Sequence, residues 1–290
     1  MFKTKRFFLL ALTALMSIMI LAACGSDSAE KSEGTDTNTG TEKEEGKVEE
    51  NVEGNVLETI KERDKIIFGV KYDTKLFGLK DPASGEVEGF DIDIAKKIAK
   101  EILGDENKVE FVEVTSKTRI PLINKGDIDA IIATMTVTEE RAKEVDFSDI
   151  YFEAGQSLLV KKGSPVQSID DLTKDTTVIA VKGSTSTDNI REAAPDAPVI
   201  EFENYAEAFT ALKAGKGEVL TTDDSILAGM ASEDDSFELV GEKFTEEPYG
   251  IATKKGEQEF VDALNAALET LKSSGEFDTV YSSWFDGLLK

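Results

Sequence analysis

The sequence predicts an α/β protein of mostly parallel sheets flanked by helices, and three observations lead there. From about Val56 onward, short β-branched runs alternate with segments of helical apolar spacing. This βα texture occurs twice, in two successive series. Residues with short hydroxyl side chains gather where strands give way to helices. Alternation of this kind sets parallel strands side by side and covers their faces with helices.

The elements follow in order. Lys3, Lys5 and Arg6 precede an apolar run, Phe7 to Ala23, that ends in small residues, the pattern of a secretory signal peptide over residues 1–23. Residues 24–55 are rich in Ser, Thr, Gly, Glu and Lys and nearly free of large apolar side chains, so they predict a disordered acidic stalk. In the first series, Ile66–Val70 is a strand, followed by a turn-rich stretch to Gly89. A helix over Asp91–Ala99, a strand over Val109–Val114, a short helix over Arg119–Asn124, a strand over Ala130–Ala133 and a helix over Glu139–Glu144 come next. Ser157–Lys161 is a strand. The second series has strands at Thr177–Val181, Val199–Phe202, Val219–Thr222 and Phe237–Val240, with helices at Thr187–Ala193, Tyr205–Ala214 and Asp224–Ala231 between them. Strand Tyr249–Thr253 and helices Glu257–Ser273 and Gly275–Phe285 follow, the aromatic cluster Tyr281, Trp284 and Phe285 serving to pack the last helix.

Composition narrows the function. The 290 residues carry a formal net charge of −25, which repels phosphate backbones and argues against nucleic-acid binding. The chain has no histidine, so a Ser-His triad and the usual zinc ligand are unavailable. Its single cysteine, Cys24, excludes an internal disulfide framework and a cysteine metal cluster. No cofactor or metal site is expected, and Asp234-Asp235 reads as solvated loop charge.

The chemistry concentrates at strand–helix junctions, where ligands of open α/β sheets sit. In Asp127–Arg141 a strand emerges into Thr134 and Thr136, Thr138 can cap a helix, and Arg141 lies one turn in, where its guanidinium can meet a carboxylate in bidentate fashion. The same residues also fit an ordinary capped helix with a surface arginine paired to Glu140 or Glu144. Val181-Lys182-Gly183-Ser184-Thr185 is either an anion cradle or a plain turn with a cap, and Asp223 in Thr221-Thr222-Asp223-Asp224 reads by itself as an N-cap. Arg119 stands at a helix start, unfavourable for the helix dipole, and Lys71 just past the first strand is a second cation.

Two long segments, Gly89-Phe90-Asp91-Ile92-Asp93-Ile94-Ala95 and Asp127–Arg141 with Asp146-Phe147-Ser148-Asp149-Ile150-Tyr151-Phe152, resemble the polar amino-acid solute-binding proteins of bacterial ABC importers. The resemblance runs from about Val56 to the C-terminus. It implies a two-lobe periplasmic-binding-protein-like fold (type II) with a two-strand hinge: lobe 1 from residues 56–154 plus 252–290, lobe 2 from 155–251, with crossings near Ala154–Ser157 and Glu247–Ile251. It implies that Arg141, Thr134, Thr136, Ser184 and Thr185 hold a ligand α-carboxylate and that Asp223 accepts from its α-ammonium. It assigns Arg119 and Lys71 to the ligand side chain, favouring glutamate or aspartate with glutamine as the alternative, and Phe77 and Tyr205 to the aliphatic stem, where ordinary packing is the competing role. Gly217-Glu218 departs from the family pattern, before a strand. The tetrad Leu21-Ala22-Ala23-Cys24 resembles the lipobox of bacterial lipoproteins, implying cleavage before Cys24 and lipidation of its thiol; the alternative is an uncleaved membrane anchor. The expected partners are a small amino acid, an ABC permease with its ATPase, and the membrane through Cys24, for a monomeric, non-enzymatic protein outside the cytoplasm. Two rivals share the fold: a dehydratase of prephenate-like acids, and a sensor domain acting through a separate partner.

Overall fold

The computed structural model describes residues 55–288, so Cys24, the expected leader and nearly all of the expected stalk lie outside the described residues. Helix α1 (Val56–Arg63) begins where the stalk was expected to end. Asn55 is its cap, its side chain accepting from the Leu57 N–H at 2.9 Å, and Leu57 and Ile60 enter the core.

Strand β1 (Ile66–Val70) is followed by β2 (Asp73–Thr74), β3 (Gly78–Lys80) and β4 (Val87–Glu88), which fold the stretch expected as turns into a small antiparallel sheet. Next come α2 (Phe90–Leu103), β5 (Val109–Glu113), α3 (Arg119–Lys125) and β6 (Ala130–Ile131). The helix expected over Glu139–Glu144 is a single 3₁₀ turn, Arg141–Lys143, and a ten-residue strand, β7 (Val145–Ala154), follows it. Thr136 bridges to Tyr249 and Val145 pairs with Lys254. Both ends of the segment are thus tied to one strand, and the chain between them has no room for a longer helix.

The remaining elements are β8 (Gln156–Lys161), β9 (Val178–Val181), α4 (Thr185–Ala193), β10 (Val199–Phe202), α5 (Tyr205–Lys213), β11 (Val219–Asp223), α6 (Asp224–Glu233), β12 (Phe237–Val240), β13 (Glu247–Lys254), α7 (Gln258–Ser274) and α8 (Glu276–Phe285). Two five-stranded sheets result, ordered β5-β1-β6-β13-β7 and β10-β9-β11-β8-β12. Each has a parallel set of three strands, β5-β1-β6 or β10-β9-β11, extended by antiparallel strands. The chain leaves the first sheet at Gly155 and returns to it at Glu247, which pairs with Ala154. Residues Glu247–Ile251, expected as a crossing, are therefore hydrogen-bonded within the first sheet.

The first sheet packs against α2, α7 and α8 through an aromatic core. Phe77 lies 5.1 Å from Phe152, 5.2 Å from Phe285 and 5.9 Å from Tyr249, ring centre to ring centre. Phe285 is buried there, in the packing role expected of the terminal aromatics, and the Trp284 indole donates to Asp93 at 2.8 Å. Gly69 marks how tightly β1 is enclosed: a Cβ there would lie 2.5 Å from Ile128 Cδ1 and 2.9 Å from Val114 Cγ1. Gly69→Ala is expected to destabilise the protein by roughly 1–3 kcal/mol, lowering Tm by about 2–12 °C in a domain of this size, as read by differential scanning calorimetry.

Candidate functional site

The polar ends of the strands in both sheets bring the expected residues together. Lys71 follows β1, Arg119 opens α3, and Thr134 and Thr136 follow β6; Ser184 and Thr185 follow β9, Tyr205 opens α5 and Asp223 ends β11. Lys71, Arg119, Thr134, Thr136, Ser184, Tyr205 and Asp223 are all buried.

The three cations are held mainly by neutral oxygens. Lys71 Nζ donates to Ser116 Oγ at 3.0 Å and stands 4.8 Å from the centre of the Tyr205 ring. Arg119 is only 2 % exposed; it donates to the Ala133 carbonyl at 2.7 Å, while its Nε has no partner. Arg141 donates to the Thr136 carbonyl at 2.8 Å and, across the cleft, to the Gly183 carbonyl at 3.3 Å. Burial pushes Lys71 down to about 8 and Arg119 down to about 9, and it lowers Arg141 as well. Like charges add to this: Arg119 and Arg141 lower Lys71, and Arg141 lowers Arg119.

The anions sit among them. Tyr249 donates its hydroxyl proton to Asp223 Oδ2, and Asp223 Oδ1 is buried without a partner. Burial, then the charge of Glu247, pushes Asp223 up to about 7, against the counter-pull of Arg141. Thr222 donates to the Tyr205 hydroxyl at 3.1 Å, and the Tyr205 N–H donates to Asp73 at 2.6 Å. Ser184 Oγ turns back to the Val181 carbonyl at 2.7 Å, and Thr185 Oγ1 donates to Glu247 at 2.8 Å. Phe77 contributes its ring to the aromatic core described above, next to Tyr249.

Two residues with large roles in this geometry were not singled out as site residues from the sequence. Asp91, in the first turn of α2, is fully buried; it accepts from the Thr134 N–H at 3.0 Å and the Tyr151 hydroxyl at 2.9 Å. Burial raises it to about 7, against those two hydrogen bonds. Its grip holds Thr134 at φ 46°, a left-handed conformation unfavourable for a branched side chain. Glu247 is the second, and four side chains donate to it. Its only sequence signal was its place at the start of the expected crossing, Glu247–Ile251.

A cavity of about 620 Å³ opens between the two halves, lined by Ser116, Thr138, Arg141, Ser184, Thr185 and Asn189 among others. Gly183 sets how closely its walls approach: it has φ 74°, and a Cβ would lie 2.8 Å from Lys117 Cα. The arrangement is a cleft that brings cationic donors and carboxylate acceptors together, a chemistry suited to seizing a small zwitterion.

Residues 66–287 match the bacterial extracellular solute-binding proteins of family 3. The chain belongs to this family. It is 58% identical over 280 residues to the ABC transporter glutamine-binding protein GlnH of Bacillus subtilis (strain 168), covering 97% of each chain. It is 58% identical over 260 residues to a glutamine-binding protein of Geobacillus stearothermophilus, 88% of this chain and 94% of the relative. Among solved structures, an ancestral arginine-binding protein bound to glutamine superposes with a TM-score of 0.72 at 42% identity, over 77% of this chain and 98% of its own. The two-lobe fold expected for the family is thereby in place, and its members are solute-binding proteins of the cell exterior.

The buried carboxyl of Asp223 yields a stability test. Its pKa in the folded protein, about 7, exceeds the usual 3.8, so the folded state holds the proton longer and stability declines as pH rises from about 4 to about 7. The full penalty, about three pH units or roughly 4 kcal/mol at most, applies above that window. Asp223→Asn keeps an acceptor for Tyr249 and is expected to raise Tm at pH 8 by more than at pH 4 in thermal unfolding; an equal change at both would show that Asp223 is not held in this way.

Proposed function

We propose that the chain is the extracytoplasmic solute receptor of an amino-acid ABC importer, that its ligand is glutamine, and that it delivers this ligand to a membrane permease driven by an ATPase. The observation that carries the reading is the juxtaposition of Arg141 and Asp223. They come from opposite halves, both are pushed toward neutrality by burial, each feels the other's charge, and Asp223 keeps an unpartnered oxygen. A zwitterionic α-amino acid supplies a carboxylate for the one and an ammonium for the other. Thr134 and Thr136 on one wall and Ser184 and Thr185 on the other frame the same groups, with Tyr205 against the stem and Phe77 behind it. Most of these residues are buried, so the ligand enters when the lobes, residues 56–154 with 247–290 and residues 155–246, swing apart. Closure then brings both partners to it. The work is capture and release, without a chemical step. The protein acts as a monomer tethered through lipid on Cys24.

Glutamine is favoured by the two relatives at 58% identity. A second reading, glutamate or aspartate, is favoured by the adjacency of Lys71 and Arg119, two cations for one side-chain carboxylate. Calorimetric titration with glutamine, glutamate, aspartate, arginine and cystine decides. Arg141→Ala and Asp223→Asn are expected to weaken the tight ligand at least 30-fold each, the scale of breaking a buried charge pair. Near-wild-type affinity in both would overturn the zwitterion geometry.

pH separates the two ligand readings. Lys71 keeps its charge below about 8 and loses it above. If a side-chain carboxylate pairs with it, glutamate affinity relative to glutamine drops by about tenfold between pH 7 and pH 10, one screened charge interaction. If glutamine is the ligand, that ratio stays flat across the range, because loss of the shared α-ammonium at its alkaline end weakens both amino acids alike. Glutamine affinity also weakens below about 7, as Asp223 takes up its proton, by at most about tenfold per pH unit.

A further inference from the structure

Glu247, the first residue of β13, is 2 % exposed. Its carboxylate is met by four neutral donors from three parts of the fold. Thr136 Oγ1 donates to Oε2 at 2.6 Å and Thr185 Oγ1 to the same oxygen at 2.8 Å; Asn189 Nδ2 donates to Oε1 at 2.6 Å and Thr245 Oγ1 to the same oxygen at 3.0 Å. Thr136 follows β6 of the first sheet, whereas Thr185 and Asn189 belong to α4 beside the second. A carboxylate has about four lone-pair sites, and these donors fill them.

A hydroxyl has one proton. Thr136 and Thr185 both commit theirs to Glu247, so each can offer the cleft only lone pairs. Arg141 is the opposite case, with donors only. Two threonines that could have turned protons toward a carboxylate are thereby converted into acceptors, alongside the unpartnered Oδ1 of Asp223.

We propose that Glu247 is a positioning residue that sets the donor–acceptor polarity of the cleft, holding one hydroxyl on each wall as an acceptor for a ligand α-ammonium. It acts through Thr136 and Thr185 without contacting the ligand. The inference rests on the zwitterion reading above and adds to it a specificity determinant for the α-ammonium.

The test is Glu247→Gln. The amide oxygen can still accept from Asn189 and Thr245, but the amide nitrogen donates to Thr136 and Thr185 and frees both hydroxyl protons for the cleft. Calorimetry is run on wild type and variant with glutamine and its des-amino analogue glutaramate, and with glutamate and its des-amino analogue glutarate. In wild type, each des-amino analogue binds more weakly than its amino acid. The ratio of the two Kd values is expected to shrink at least tenfold in Glu247→Gln, because the walls lose their preference for the ammonium. Thr136→Val and Thr185→Val, which remove one hydroxyl each, are expected to shrink the same ratio and serve if the glutamine variant fails to fold. A residue that merely braces the fold would weaken both members of a pair equally, and an unchanged ratio in all three variants overturns the proposal. Wild type that binds no amino acid overturns the zwitterion reading itself, and this inference with it.

Discussion

Holding three cations out of water is the constraint on which the rest of the site depends. Lys71, Arg119 and Arg141 are desolvated together and repel one another. Such charges are tolerated only where fixed dipoles and anions replace the lost hydration. Here the replacement comes largely from backbone carbonyls, those of Ala133, Thr136 and Gly183. Two of the three belong to the kinked segment after β6, whose left-handed Thr134 is pinned by Asp91. The strain at Thr134 is part of the same device: without the kink, the carbonyls would not face inward. Carbonyl dipoles offset the desolvation of a cation only in part, so an arriving carboxylate is attracted there far more strongly than to the same charges in water.

The two carboxylates pose the complementary problem. The charge of Glu247 raises the pKa of buried Asp223, and each carboxyl is met by hydroxyl donors, Tyr249 for the one and Thr136 and Thr185 for the other. Arg141 is thereby left free to exchange a carbonyl partner for a ligand carboxylate.

Much of this was legible in the sequence, and the misses have physical causes. The strand–helix junctions drew attention to Arg141 and Asp223, but the local pattern alone left a surface arginine and an N-cap open, and the family resemblance supplied their expected ligand roles. The helix expected at Glu139–Glu144 failed because local spacing cannot register that both ends are anchored to β13. Strand β7 was passed over because Asp146, Ser148 and Asp149 interrupt its apolar alternation; Ser148 is half of a link across the sheet, accepting from the Ile251 N–H at 2.9 Å. Helix α1 is only eight residues long and sits directly after a polar tract. Asp91 and Glu247 escaped notice as site residues because their partners lie 43 and 111 residues away, at Thr134 and Thr136, and nothing in the local pattern marks a hydrogen bond of that span.

Strand β13 sits between β6 and β7 in the first sheet, and β7 pairs with it alone in that sheet. The sheet begun by residues 66–154 therefore stays split until residues 247–254 arrive, after the whole second sheet has been made. For a protein that works outside the cytoplasm, the order of emergence matters. A chain threading outward N-terminus first carries an unfinished first lobe, with the edges of β6 and β7 still open, until residues 247–254 have crossed. Contacts that close over such long loops form late. The topology that lets one lobe swing on the other thus also delays tight folding until translocation is almost complete, and it leaves exposed strand edges for that interval as the accompanying hazard.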